Sequence, residues 1–208
     1  MIIDVEQQTP EWLEMRKGRV TASRVADVLK VLKSGAASVV RRNYRDELVT
    51  EMLTGRATDH YVSEEMMFGT EQEPYARAAY ELARDVMVDD CGFAVHDTIE
   101  RFGASPDGLV GDDGLIEIKC PNTTTHIGYL LDGGVPEEYQ PQMLAAMACT
   151  GRQWCDFVSF DPRLRLHKNL QLFVRRFERD DKRIAEMEKL VTCFLAEVDE
   201  ILSMLADL

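Results

Sequence analysis

The 208-residue chain predicts an α/β fold with a mixed central sheet, and three observations carry that expectation. The apolar period is helical from about residue 10 to 83, alternating from 86 to 119, and then helical, alternating and helical again. Helices, a mostly antiparallel strand cluster, helices, strands and a helix, in that order, make layers around a sheet. No internal repeat, low-complexity tract or long linker interrupts the pattern, and 45% of residues are hydrophobic, so a single domain over residues 1–208 with a full core is expected.

Thr9-Pro10-Glu11-Trp12 opens the first helix, with Thr9 as N-cap, Pro10 in the first turn and Glu11 at the positive end of the dipole. Gly18 ends or bends it. Thr21-Ala22-Ser23 starts a second helix reaching about Leu32, and Ser34-Gly35 is a loop. Residues 40–53 form an amphipathic helix closed by Gly55. Ser63 caps a helix reaching about Ala83, strained at Gly69 and Pro74, which divide it into two pieces. Short strands follow at 86–88, 93–95 and 102–104. Leu109-Val110 and residues 115–119 flank Gly111-Asp112-Asp113-Gly114, a hairpin signal. Helices are expected at 123–131 and 136–149, strands at 154–160 and 170–177, and a long acidic amphipathic helix at 180–205.

Composition narrows the functional classes. No run of 18 apolar residues is present and the N-terminus lacks a basic-then-apolar signal, so neither a membrane span nor secretion is expected. Five scattered cysteines without a Cys-x-x-Cys pair read as reduced, buried thiols. His60, His96, His126 and His167 lack metal-ligand spacing and read as surface or loop residues. The net charge of −13 argues against indiscriminate nucleic-acid binding, because phosphate contacts need Lys and Arg. Three basic runs keep a confined basic groove open: Arg16-Lys17-Gly18-Arg19, Arg41-Arg42-Asn43-Tyr44-Arg45 and Arg163-Leu164-Arg165-Leu166-His167-Lys168. Each is also compatible with a solvated face.

The chemistry concentrates in two segments. Asp107 stands in Ser105-Pro106-Asp107-Gly108, and ten positions later Glu117 stands in Leu115-Ile116-Glu117-Ile118-Lys119. On a strand, alternation puts Glu117 and Lys119 on one face and Ile116 and Ile118 on the other. The hairpin decides where Asp107 falls. A two-residue turn at Asp112-Asp113 pairs Asp107 with Ile118, on the wrong face. A three-residue loop, Asp112-Asp113-Gly114 with Gly114 left-handed, pairs Asp107 with Lys119 and is the expected geometry. Asp107, Glu117 and the Ile118 carbonyl could then hold one or two Mg²⁺ ions, with Mn²⁺ able to substitute, while Lys119 orients a water and offsets developing charge on a phosphodiester. The competing reading is a surface Glu-Lys pair beside a Pro-Asp-Gly turn.

Further stretches join these two in order: Trp12-Leu13-Glu14-Met15-Arg16-Lys17-Gly18-Arg19-Val20-Thr21-Ala22-Ser23, Phe68-Gly69-Thr70-Glu71-Gln72-Glu73, Leu115 through Lys119 with Cys120-Pro121, and Tyr139-Gln140-Pro141-Gln142. With them the chain resembles the phage lambda exonuclease (YqaJ-type viral recombinase) family of the PD-(D/E)xK nuclease superfamily, over about residues 10 to 180. The resemblance implies a restriction-endonuclease-like α/β core with extra N-terminal helices and a long C-terminal helix. It assigns metal binding to Asp107 and Glu117, the catalytic lysine to Lys119, and a helical acid near the metals to Glu73, with Glu71 competing. It gives Arg16 and Ser23 the 5′-phosphate, Ser105 a further phosphate contact, and Gln142 a place lining the site. Ser23 near a helix N-terminus and Arg16 as a fork suit an anion. Trp12 reads as packing for the first helix and Cys120 as core filler. The paired C-terminal cysteines of cluster-bearing superfamily members are missing, so no iron–sulfur cluster is expected.

The activity implied is Mg²⁺-dependent digestion of one strand of linear double-stranded DNA from its 5′ end. It would yield mononucleotides and a 3′ overhang for a single-strand annealing protein. The resemblance also implies a ring-shaped homotrimer enclosing DNA, of phage or prophage origin, in the cytoplasm of a bacterial host. Topological retention suits an acidic chain, since strong non-specific affinity is then unnecessary. The C-terminal helix and the Arg41–Arg45 run are candidates for the interface or channel. A structure-selective or restriction-type endonuclease is the alternative enzyme. A DNA-binding or recombinase-loading protein with a decayed metal site is the other class, and the intact Asp107, Glu117 and Lys119 argue against it.

Overall fold

The computed structural model describes residues 1–30, 36–58 and 62–208; Leu32, the Ser34-Gly35 loop and His60 lie outside them. The elements are β1 (Ile2–Ile3), α1 (Pro10–Arg16), β2 (Val20–Thr21), α2 (Val25–Leu29), α3 (Val39–Thr54), α4 (Glu64–Arg84), β3 (Val88–Asp89), β4 (Phe93–Val95), β5 (Phe102–Ala104), β6 (Gly108–Val110), β7 (Gly114–Lys119), α5 (Thr123–Asp132), α6 (Gln140–Thr150), β8 (Trp154–Phe160), β9 (Leu172–Glu178) and α7 (Asp181–Ala206). The α/β class is as expected, but the strands form two mixed sheets rather than one. The larger runs β3-β6-β7-β8-β9, with β7 and β8 parallel; the smaller runs β1-β4-β5-β2, with β2 and β5 parallel. Ile2–Ile3 and Val20–Thr21 are too short to declare themselves by alternation, yet they pair with β4 and β5 and draw both into the second sheet.

Caps explain most helix boundaries. Thr9, Ser38, Ser63, Asn122 and Asp180 each accept a backbone N–H in the first turn of their helix, satisfying a donor that would otherwise lack a partner. The second helix departs from expectation. Val20–Thr21 is a strand, Ala22–Arg24 a 3₁₀ turn, and the α-helix covers only Val25–Leu29. α4 is one helix, not two. Pro74 removes a single N–H, and Ala76 and Tyr80 bury against Ile116 and Ile118, which holds the helix across the gap. α6 begins at Gln140 because the preceding residues make a turn in which Tyr139 N–H reaches the Pro136 carbonyl.

α6 is buried nearly all round, through Met143, Leu144, Ala145, Ala146, Met147 and Cys149. It lies in the main core with Val20, Phe102, Leu115, Phe157 and Phe194. α7 contributes Ile184, Met187, Val191, Phe194, Leu195 and Val198, at helical spacing. Arg41 forks onto Glu197 with two 2.7 Å bonds and lies over the Phe194 ring, so this part of the second basic run ties α3 to α7. Two histidines correct the surface reading. His126 is fully buried between Ser159 Oγ and the Leu170 carbonyl, each at 2.7 Å, and His96 is buried beside Glu188. Cys91, Cys120, Cys149 and Cys155 are buried free thiols, and Cys193 is exposed. Among the described residues no helix is long and apolar enough to cross a membrane.

Candidate active site

The β6–β7 hairpin builds the centre of the site. Val110 pairs with Gly114, leaving the three-residue loop Gly111-Asp112-Asp113, one position earlier than expected. Gly111, at φ +52°, takes the left-handed conformation instead of Gly114. Gly114 stays in the strand because it pairs with Trp154 of β8, whose indole lies so close that a Cβ at 114 would come within 2.1 Å of it. The shift changes the register by two, so Asp107 faces Glu117 rather than Lys119 and stays on the expected face.

β6 begins only at Gly108, and the Asp107 side chain, one residue before it, continues its pairing role: Oδ2 accepts the Ile118 N–H at 2.6 Å. In an extended strand the N–H and C=O of one residue leave by the same edge. The Ile118 carbonyl therefore points to the edge where Asp107 stands. This point is at the C-terminal end of β7, on the edge opposite parallel β8, and strand C-termini are where open α/β sheets commonly bind ligands.

Two cavities meet at Asp107. The first, about 170 Å³, is lined by Trp12, Arg16, Ala22, Ser23, Ser105, Pro106, Asp107, Glu117, Lys119, Gln142 and Ala146. The second, about 660 Å³, is lined by Glu73, Thr70, Pro74, Arg77, Asp107, Ile118 and the segments around Glu6 and Asp90. Every residue nominated from the sequence lines one or both of them; Glu71, the competitor of Glu73, is exposed and lines neither.

In the smaller cavity Glu117 is almost wholly buried. Its Oε1 accepts Lys119 Nζ at 2.5 Å and Gln142 Nε2 at 2.6 Å. Lys119 also lies 5.3 Å from the Tyr139 ring centre. Arg16 donates to Ser23 Oγ at 3.3 Å and stacks over Trp12 at 4.2 Å. Ser23 sits in the 3₁₀ turn rather than at the head of a long helix, so Arg16 and Thr21, not a helix dipole, are its polar surroundings.

Several contributors escaped the sequence reading. Trp12 does more than pack the first helix: its Nε1–H donates to Ser105 Oγ at 2.7 Å, and it forms a cavity wall. Indole only donates, so Ser105 accepts and keeps its own O–H for another acceptor. The i, i+4 spacing of Trp12 and Arg16 was the available signal. Gln7 Nε2 bridges the Cys91 and Pro106 carbonyls at 2.7 and 2.9 Å and steadies the loop before Asp107. Buried Glu51 accepts the N–H groups of Gly18 and Thr58, each at 2.8 Å, and fixes the turn after Arg16.

The electrostatics are those of crowded acids around one amine. Burial, reinforced by Asp107, pushes Glu73 up to about 7. Burial also pushes Glu117 up to about 7, against the pull of Lys119 and with the help of Asp107. Asp107 is raised by burial as well. Burial would lower Lys119, but Glu117 and Asp107 outweigh it and raise its pKa. Burial lowers that of Arg16. Acids held this way are relieved by a cation. Among the described residues no three His, Cys, Asp or Glu side chains form a metal-ready cluster. The available donors are two carboxylates and a carbonyl, all hard oxygens, a set that suits Mg²⁺ completed by water.

Comparison with known proteins shows the family. The family model of the YqaJ-like viral recombinase domain matches residues 11–153. The alkaline exonuclease LHK-Exo of Laribacter hongkongensis superposes with a TM-score of 0.87 at 50% identity, over 96% of this chain and 97% of its own. Its complex with dAMP superposes equally, with a TM-score of 0.87 at 51% identity, over 95% and 96% of the two chains. A phage-related exonuclease from Haemophilus somnus 129PT shares the fold, with a TM-score of 0.69 at 16% identity over 90% and 96%. No match is found among curated protein sequences. A family model covering more than half of the chain, and a structural relative of 50% identity along nearly its whole length, make this chain a member of the YqaJ-like viral recombinase family.

Proposed function

We propose that the protein is a Mg²⁺-dependent 5′→3′ exonuclease. It digests one strand of linear double-stranded DNA to mononucleotides and leaves a 3′ overhang for a single-strand annealing protein. The observation that carries this reading is the shared cavity: anion donors Arg16, Ser23 and Ser105 line the same space as Asp107, Glu117 and Lys119. A terminal phosphate held by the first group measures off the end of a strand for the second, which is what release of mononucleotides requires. The relative LHK-Exo, solved with dAMP, supports a mononucleotide-sized product.

Asp107, Glu117 and the Ile118 carbonyl would hold the metal, Glu117 through Oε2 because Oε1 already accepts two hydrogen bonds. When bound, Mg²⁺ or Mn²⁺, one or two per site, would polarise the scissile phosphate and neutralise its charge. Lys119, fixed by Glu117 and Tyr139, orients the attacking water and faces the developing negative charge. Gln142 holds Glu117 in place. Glu73, from the far side of Asp107, adds an acid whose raised pKa suits proton exchange near neutral pH.

A homotrimeric ring in the cytoplasm of a bacterial host, of phage or prophage origin, is the assembly we infer, because topology would retain DNA on an acidic chain. Incubating linear and closed circular duplexes with Mg²⁺ tests the reading. Loss of the linear form with the circle intact is expected. Nicking of the circle would move the activity to a structure-selective or restriction-type endonuclease.

A further inference from the structure

We propose that Arg163 is a positioning residue that fixes the Glu73 half of α4 against the turn following Lys119. The proposal rests on the nuclease reading of those two residues. Asp161 follows β8 directly and is fully buried. Arg163 donates to its Oδ1 twice, from the backbone N–H at 3.0 Å and from Nε at 2.6 Å. The same guanidinium donates to the Pro121 carbonyl at 2.5 Å and lies 4.6 Å from the Phe68 ring centre. Pro121 stands two residues after Lys119, and Phe68 five residues before Glu73. One planar fork thus joins the root of the β8–β9 connection, the end of β7 and the first turns of α4; a lysine cannot make all three contacts at once.

α4 needs such a tie. Its buried anchors, Ala76 and Tyr80, both lie beyond Pro74. Pro74 lacks the N–H that would bond the Thr70 carbonyl, so the helical ladder is weakest immediately after Glu73. The residues before Pro74 are largely exposed, and Phe68 is half-buried under Arg163. Among the described residues no side chain of α4 before Pro74 is fully buried, so without that contact the distance of Glu73 from Asp107 and Lys119 is free to vary.

The test uses Phe68→Ala and Arg163→Lys, which both leave a cation beside buried Asp161 and so preserve folding, alone and in a Glu73→Gln background. Each single variant should lower kcat on linear duplex DNA about 10- to 100-fold, the range for a displaced catalytic group, with KM changed less than about twofold. Backbone hydrogen exchange over residues 64–73 should quicken in both. With Glu73→Gln already present, Phe68→Ala should cost less than about twofold, because a group already lost cannot be misplaced. A raised KM with unchanged kcat would overturn the proposal in favour of direct DNA contact by Arg163. An undiminished loss in the Glu73→Gln background, or unchanged exchange at 64–73, would overturn it as well. A wild-type chain without turnover would fail the nuclease reading alone, and the exchange measurement would still decide the clamp.

Discussion

The two cavities that meet at Asp107 differ in size and sign. The smaller offers Arg16, Lys119, two serine hydroxyls and the Gln142 amide around Glu117; the larger is edged by Asp4, Glu6, Glu73 and Asp90 with Arg77. An acidic chain thus sorts its charge locally, collecting anion donors on one side of a buried acid and carboxylates on the other. The lesson is that a net charge of −13 says little about a site a few residues wide. The basic runs show the same sorting. Arg16 lines the small cavity, whereas Arg41 is spent joining α3 to α7.

If the small cavity holds the reacting phosphate, Lys119→Ala should have the largest effect. We expect kcat to fall about 10²–10³-fold, as for loss of a positioned transition-state donor, with DNA affinity nearly unchanged; single-turnover digestion and a binding titration check it. Asp107 belongs to both cavities, so Asp107→Asn should weaken Mg²⁺ binding by at least about tenfold, measured by calorimetry. Binding that survives intact would place the cation elsewhere. Arg16→Ala should reduce the preference for 5′-phosphorylated over 5′-hydroxyl ends about tenfold to a hundredfold, the size of a charge-assisted hydrogen bond. Competition between the two ends reads this out.

The smallest effect concerns the acidic side. Glu73 is raised from an ordinary 4.5 to about 7, so the folded protein holds that proton more tightly than the unfolded chain. The stabilisation from protonation is present below about 4.5 and is lost as pH rises through about 7. Glu73→Gln should therefore raise the Tm by roughly 2–4 °C at pH 8 without metal, and by almost nothing at pH 4. Thermal melts at both pH values check the sign, and a drop at pH 8 would contradict the crowding of acids.

Much of this was legible in the sequence because it was local. Thr9 and Ser63 announced their helices by capping chemistry. Asp107, Glu117 and Lys119 could be put on one face from loop length alone, since a shift of two residues preserves the face. What was not legible depended on distant partners. Either Gly111 or Gly114 could have turned left-handed; Trp154, forty positions from Gly114, decided it. Ile2–Ile3 is a strand only because β4 lies beside it. His126 looked like a surface residue until Ser159 and the Leu170 carbonyl closed around it. Trp12 owes its place in the cavity wall to Ser105, far along the chain.

The central claim is that a 5′ end is held beside the cutting centre. Its most direct test is digestion of a linear duplex with Mg²⁺, labelled separately at its 5′ and 3′ ends and followed through the earliest turnovers. The account predicts early release of the 5′ label as a mononucleotide while the 3′ label stays on long strands. Early release of the 3′ label, or a 5′ label leaving on internal fragments, would contradict it.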